Sequence, residues 1–130
     1  MPLVLIADND GAVSALLAEV LVRAGMSVVH AQDGEEARIR VREPGLAAVV
    51  CDLDMPRASG LEVLESMADL PFVPPAIVVS GYLDDSIAAR LAKLAWVREV
   101  MRKPFDLLAF ARRVRELATA PEDVATNSSF

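Results

Sequence analysis

Four short clusters of polar residues stand out because each follows an apolar run. Asp8, Asn9 and Asp10 come after LVLIA, Asp52 and Asp54 after AAVVC, Ser80 after AIVV, and Lys103 after VREVM. Carboxylates gathered in one place repel each other unless something neutralises them. A hard cation would do so, and magnesium takes oxygen ligands, commonly one or two carboxylates with a phosphate. A lysine adds a second positive charge. That set suits phosphoryl transfer, which is mostly positioning and charge neutralisation. A carboxylate at the end of a rigid strand can also be the nucleophile, forming an acyl phosphate.

The clusters meet only if the elements before them are parallel and adjacent. Apolar runs predict strands at Leu3–Ala7, Met26–His30, Ala47–Cys51 and Ala76–Val79, with a weaker fifth at Val97–Met101 that Arg98 and Glu99 interrupt. Amphipathic stretches alternate with them. Val13, Leu16, Leu17, Val20 and Leu21 share one helix face before a stop at Gly25. Asp33 is a plausible cap for a helix over Glu35–Arg42. Leu61, Leu64 and Ala68 mark a third helix. Ile87, Leu91 and Leu94 mark a fourth, opened by Asp84 or Asp85. Leu107, Ala111, Val114 and Ala118 mark a fifth. Strict alternation implies an α/β fold, a single doubly wound five-stranded parallel sheet with helices on both faces. Right-handed crossovers favour the flavodoxin-like order 2-1-3-4-5, which brings strands one and three side by side. All four polar clusters then lie on one edge of the sheet. His30, after the marginal second strand, is given no role.

Bulk properties narrow the alternatives. At 130 residues, 54% of them hydrophobic, the chain fits one domain with a substantial core. A net charge of −6 argues against nucleic acid as a direct partner. No apolar run is long enough to span a bilayer, and the N-terminus lacks a basic leader, so the expected location is cytoplasmic. One Cys and one His cannot build a zinc site. Cys51 is expected to be a small buried hydrophobe.

Taken together, the acidic cluster, the D-x-x-M-P run at Asp52–Pro56 with Gly60 beyond it, Ser80 and the Lys103-Pro104-Phe105 run resemble the receiver domain of two-component response regulators. The SGY and KPF segments are similar to receivers attached to hybrid histidine kinases. The resemblance covers roughly residues 3 to 118, assigns residues 1–119 to the receiver domain, and leaves 120–130 as a flexible tail or the start of a linker. It implies that Asp52 accepts a phosphoryl group from a histidine kinase or phosphotransfer protein. Ser80 would bond the phosphoryl oxygen, and Lys103 would pair with the phosphoryl or with Asp52. Mg2+ would be held by Asp8, Asn9, Asp52 and the backbone carbonyl of Asp54, and Pro104 would be cis. The domain would be a signalling switch rather than an enzyme, assisting its own phosphotransfer and dephosphorylation. It would dock an unknown downstream protein, as a monomer or weak homodimer.

Two positions depart from the family pattern. Asn9 stands where a second acid is usual, which removes a charge from the metal site. Val100 stands where an aromatic ring usually turns inward, so the usual readout lacks its ring; Tyr82, the chain's one tyrosine, is the candidate substitute. Two other readings remain. One is a pseudo-receiver that docks partners without phosphate. The other is a haloacid-dehalogenase-type phosphatase, since Asp52-Leu53-Asp54 resembles its nucleophile motif. Local readings also stand beside the functional ones: Asp8 and Asp10 as helix caps, Asp54 and Ser80 as turn residues, and Arg112, Arg113, Arg115 and Glu116 as a solvated face.

Overall fold

The computed structural model describes residues 1–55 and 57–120. The expected tail at 120–130 falls, apart from Ala120, outside the described residues, as does Pro56. Strands and helices alternate along the chain. They are β1 (Leu3–Ala7), α1 (Gly11–Arg23), β2 (Ser27–Ala31), α2 (Gly34–Arg40), β3 (Leu46–Asp52), α3 (Gly60–Glu65), β4 (Ala76–Ser80), α4 (Asp85–Ala92), β5 (Val97–Arg102) and α5 (Leu107–Thr119). The sheet is parallel throughout, in the order β2-β1-β3-β4-β5. This is the flavodoxin-like order expected from the alternation.

Side chains alternate across a strand, so each central strand feeds two cores. Leu5, Val49, Cys51 and Val78 pack beneath α2, α3 and α4 with Ala37, Leu64 and Leu91. Val4, Ile6, Val50 and Ile77 pack on the other face against Leu17, Leu21, Phe110 and Val114 of α1 and α5. Burial on both faces explains why β1, β3 and β4 read as continuous apolar runs. The edge strand β5 is half open and alternates, with Arg98, Val100 and Arg102 exposed. No helix among the described residues is long and apolar enough to cross a membrane.

Each helix opens on a side-chain cap, which satisfies N–H groups left without a partner in the first turn. The caps are Asp10, Asp33, Ser59, Asp84 and Asp106, and Ser59 forms a reciprocal capping box with Glu62. Gly25 ends α1 in the left-handed region, at φ +94°. Some expected boundaries shift. β2 begins at Ser27 and runs on to Ala31, and Met26 is buried just before it. The helix expected at 35–42 spans Gly34–Arg40 instead. Leu16 lies at the margin of the α1 face, 48% exposed rather than in the core. The third helix is α-helical only to Glu65 and tightens to a 3-10 turn over Ser66–Asp69. There the Ser66 hydroxyl donates to the Val63 carbonyl at 2.6 Å. Ala68 is therefore exposed instead of sitting on a helical face. On the same side of the sheet, Arg90 forks onto Glu65, and the Trp96 indole N–H donates to the Leu64 carbonyl at 3.0 Å.

Candidate functional site at the carboxyl edge of the sheet

β3 delivers Asp52 as its last residue, so the carboxylate rides on a paired strand rather than on a loop. Asp52 is 3% exposed. Its Oδ1 accepts the Asp54 N–H at 3.0 Å, and its Oδ2 lies 3.3 Å from Lys103 Nζ. Next door, the Asp8 N–H donates to the Ala31 carbonyl, which extends the β1–β2 pairing by one residue. Asp8 is buried; its Oδ1 accepts the Asp10 N–H at 2.8 Å. Its Oδ2 has no hydrogen-bond partner and stands 4.0 Å from Lys103 Nζ. The ammonium therefore sits between the two carboxylates.

Lys103 reaches that position because its own N–H donates to the Ser80 carbonyl at 2.8 Å, joining the ends of β4 and β5. The Lys103–Pro104 peptide is cis. Ser80 is fully buried on the same edge, but its hydroxyl is engaged locally. It donates to the Tyr82 carbonyl and accepts the Tyr82 N–H at 3.1 Å, closing a tight turn before α4. Asp10 points its carboxylate onto Ala12 and Val13 N–H as the α1 cap, so it does not replace the charge missing at Asn9. Asn9 and Asp54 are exposed, following the ends of β1 and β3. Among the described residues no three His, Cys, Asp or Glu side chains form a metal cluster. The acid pair is Asp8 and Asp52, and further ligands would have to be neutral oxygens.

Cys51 lies beneath the site, its sulfur 3.6 Å from the Asp52 carbonyl and 3.7 Å from the Gly60 carbonyl. Burial, with Asp52 beside it, pushes the thiol far above its ordinary range, so it packs as the small neutral hydrophobe expected. Gly60 is a site residue that sequence reasoning noted only as part of a motif. A Cβ there would sit 2.2 Å from the Asp52 carbonyl oxygen. The available signal was a glycine opening a helix soon after the acidic strand end.

Burial raises the Asp8 carboxyl above its ordinary value, and the nearby Asp52 charge adds to this; the Asp10 N–H and Lys103 oppose it. A carboxyl raised above its unfolded value favours the fold below that value, and the advantage is lost as pH rises through the folded value. Ionised Asp8 is therefore a liability at neutral pH when no cation is bound. In EDTA, Asp8→Asn is expected to be more stable than the parent at pH 7 by about 1–3 kcal/mol. The gain should be smaller at pH 4 than at pH 7, because it shrinks as pH falls through the raised Asp8 value. Urea denaturation at the two pH values checks this, and a loss of stability at pH 7 would contradict it.

Comparison with known proteins agrees with this geometry. The family model described as "Response regulator receiver domain" matches residues 4–115. The response regulator MprA of Mycolicibacterium vanbaalenii is 37% identical over 129 residues, covering 97% of this chain and 55% of that protein. The chain thus spans about half the length of the curated relatives it matches. Two solved structures share the fold. The non-phosphorylated HemR receiver domain from Leptospira biflexa has a TM-score of 0.83 at 23% identity, covering 94% of this chain and 98% of that one. A response regulator protein from Burkholderia pseudomallei, solved with a phosphorylated aspartic acid, a calcium ion and citrate, has a TM-score of 0.78 at 21% identity. It is matched over 98% of this chain and 73% of that one. The dehalogenase-type reading has no support beside these matches. An acid-bearing third strand, a lysine brought over it by the fifth, and a family model spanning both place the chain among the response regulator receiver domains.

Proposed function

We propose that the domain is a phosphorylation-dependent signalling switch with Asp52 as phosphoacceptor. One observation carries the reading: Asp52 sits at a strand end against Lys103, beside a buried Asp8 oxygen with no hydrogen-bond partner. An Asp52 carboxylate oxygen attacks the phosphorus of a phosphohistidine on a histidine kinase or phosphotransfer protein. The phosphorus–nitrogen bond breaks, its electron pair returns to the imidazole, and an acyl phosphate remains. Lys103 holds the Asp52 carboxylate in place and offers its ammonium to the incoming phosphoryl oxygens. The Asp54 N–H, donated to Asp52 Oδ1, fixes the other carboxylate oxygen. The Ser80 hydroxyl exchanges its Tyr82 partner for a phosphoryl oxygen. The domain is a phosphoacceptor that assists its own transfer and dephosphorylation, not a turnover enzyme, and works in the cytoplasm on a downstream protein target.

The orphaned Asp8 oxygen fits a bound cation, because a buried carboxylate oxygen without a donor is costly. The carboxylates of Asp8 and Asp52, the Asn9 amide and the Asp54 carbonyl would hold Mg2+. When bound, it neutralises the phosphoryl oxygens against the acid pair. The related Burkholderia structure, with its phosphorylated aspartic acid and calcium ion, supports this reading. Incubation with acetyl phosphate and magnesium should add one hydroxylamine-labile phosphoryl group, seen by intact mass. No adduct even at high magnesium would instead establish a docking module that works without phosphate.

Asn9 supplies an oxygen but no charge. Asn9→Asp should tighten magnesium binding about tenfold, as expected for a carboxylate replacing an amide at a partly exposed cation site. Isothermal calorimetry measures it; unchanged affinity would place Asn9 away from the metal.

A further inference from the structure

The amino edge of the sheet, at the far end of β3 from Asp52, carries the most exposed aromatic ring among the described residues. Phe72, on the loop before β4, is 80% exposed. It stands between two cavities and lines both. The larger, about 290 Å³, lies between the start of β3, the loop and the end of α5. Leu46, Val73, Pro75, Leu117 and Ala118 line it with Phe72, and no charged group does among the described residues. The smaller, about 200 Å³, has Arg42 and Glu43 as its only charges among the described residues. Both are already paired within the chain. Arg42 forks onto Asp69 at 3.0 and 3.2 Å, and Glu43 accepts from Arg40 at 3.1 Å. This edge is therefore apolar and self-neutralised on a chain whose net charge is −6. The loop is also stiff. Pro71, Pro74 and Pro75 restrict its backbone, and the Pro75 carbonyl accepts the Val49 N–H at 2.9 Å.

We propose that this edge is a two-fold self-association surface, on which the Phe72 ring of each copy enters the cavity beside Phe72 of the other. A symmetric pair needs one patch that complements itself. Here the knob and the hole are neighbours, so a two-fold axis between them seats both rings at once. Charge selects the same occupant. Two copies at −6 repel at long range, and a face without unpaired charge is where they can meet without adding to that repulsion. A charged partner would find no free counter-charge in either cavity. A ring held on a stiff loop loses little freedom on docking. The pairing also leaves the candidate site open. β3 runs from Leu46 at this edge to Asp52, about 20 Å at the usual rise per residue. Both acid sites of the pair thus face outward, away from the contact. The inference goes beyond the phosphoacceptor reading and does not rest on it.

The test uses the full chain, ¹⁵N-labelled and unphosphorylated, diluted from about 1 mM, because a contact this small is expected to be weak. Sedimentation equilibrium over the same range gives the dissociation constant. Expected are a monomer–dimer equilibrium and concentration-dependent amide shifts gathered on Leu46, Phe72, Val73, Leu117 and Ala118. Phe72→Asp should weaken the pairing at least about tenfold, while Phe72→Leu, which keeps an apolar knob, should weaken it less. Because the ring is exposed, both variants should melt as the parent does, and thermal melting verifies it. High salt should not weaken an association that uses no ion pair. Asp52→Asn should pair as the parent does, which separates this result from any failure of phosphorylation. A monomer throughout, shifts that ignore concentration or gather on α4 and β5, dissociation by salt, or equal pairing in Phe72→Asp would overturn the proposal.

Discussion

Asp52→Asn is expected to form no hydroxylamine-labile phosphoryl adduct at any magnesium concentration, while keeping its fold. An asparagine at this position keeps an oxygen to accept the Asp54 N–H but has no nucleophilic carboxylate. It also removes one of two acids crowded on Lys103, so a folding penalty is not expected. Lys103→Met behaves differently. The nucleophile remains, but the cation that steadies it and meets the incoming phosphoryl is gone. Transfer from acetyl phosphate should slow by about 10²–10³-fold, the usual loss for one well-placed electrostatic donor. Lys103 also holds the Asp8 carboxyl down, so its removal raises that group further. Lys103→Met should therefore be less stable than the parent at pH 7, by about 1–3 kcal/mol. The deficit should narrow as pH falls and Asp8 protonates. Intact-mass time courses and urea titrations at pH 7 and 5 measure both effects. An adduct surviving in Asp52→Asn would move the acceptor to another residue.

Gly60→Ala is expected to be strongly destabilising, although it replaces a single hydrogen by a methyl group. The new Cβ would lie 2.2 Å from the Asp52 carbonyl oxygen and 2.8 Å from Leu53 Cα. Both are backbone atoms, so no side chain can swing aside. Either α3 backs away from the sheet or the end of β3 shifts, and Gly60 also donates its N–H to the Leu53 carbonyl at 3.1 Å. The expected loss is about 3 kcal/mol, at the upper end for overpacking a tight site. Because Asp52 belongs to the displaced strand end, phosphoryl transfer should slow in the same variant. Gly81→Ala is the control: a Cβ there meets nothing within 4 Å. If the two variants unfold at the same urea concentration, the close approach at Gly60 is not a constraint.

The legible part of the fold follows from burial. β1, β3 and β4 announce themselves because both faces are covered, leaving no position for a polar residue. β5 is hard to read for the opposite reason. At the sheet edge, Arg98 and Arg102 occupy its open side, and in sequence Arg98 and Glu99 look like interruptions. Asp33 reads as a cap from residue type and position alone; Asp10 reads equally as a site residue, and Asp84 stands beside Asp85 as opener of the fourth helix until the structure selects the caps. The shortened α3 is not legible, since the Ser66 hydroxyl turns back onto Val63 only once the backbone is in place.

At the site, topology brings Asp8, Asp52 and Lys103 together as the strand order requires. The Ser80 hydroxyl is different, because its partner is the backbone of Tyr82, which no spacing rule specifies. Gly60 carries no side chain, so its contact with Asp52 becomes visible only as a distance. The cations of α5 read as a solvated face. The structure divides them: Arg113 is tied to Glu99 and Glu116, whereas Arg112 and Arg115 form no ion pair among the described residues.

The placement of the chain's single tryptophan and single tyrosine has a practical result. The Trp96 indole is fastened to the end of α3, while the Tyr82 ring, 70% exposed, stands on the turn that holds the Ser80 hydroxyl. Emission from the first therefore tracks the integrity of the interior, and ultraviolet absorbance of the second tracks rearrangement at the rim. The domain thus carries one aromatic reporter fixed in its interior and one on the turn that holds Ser80, with no label attached.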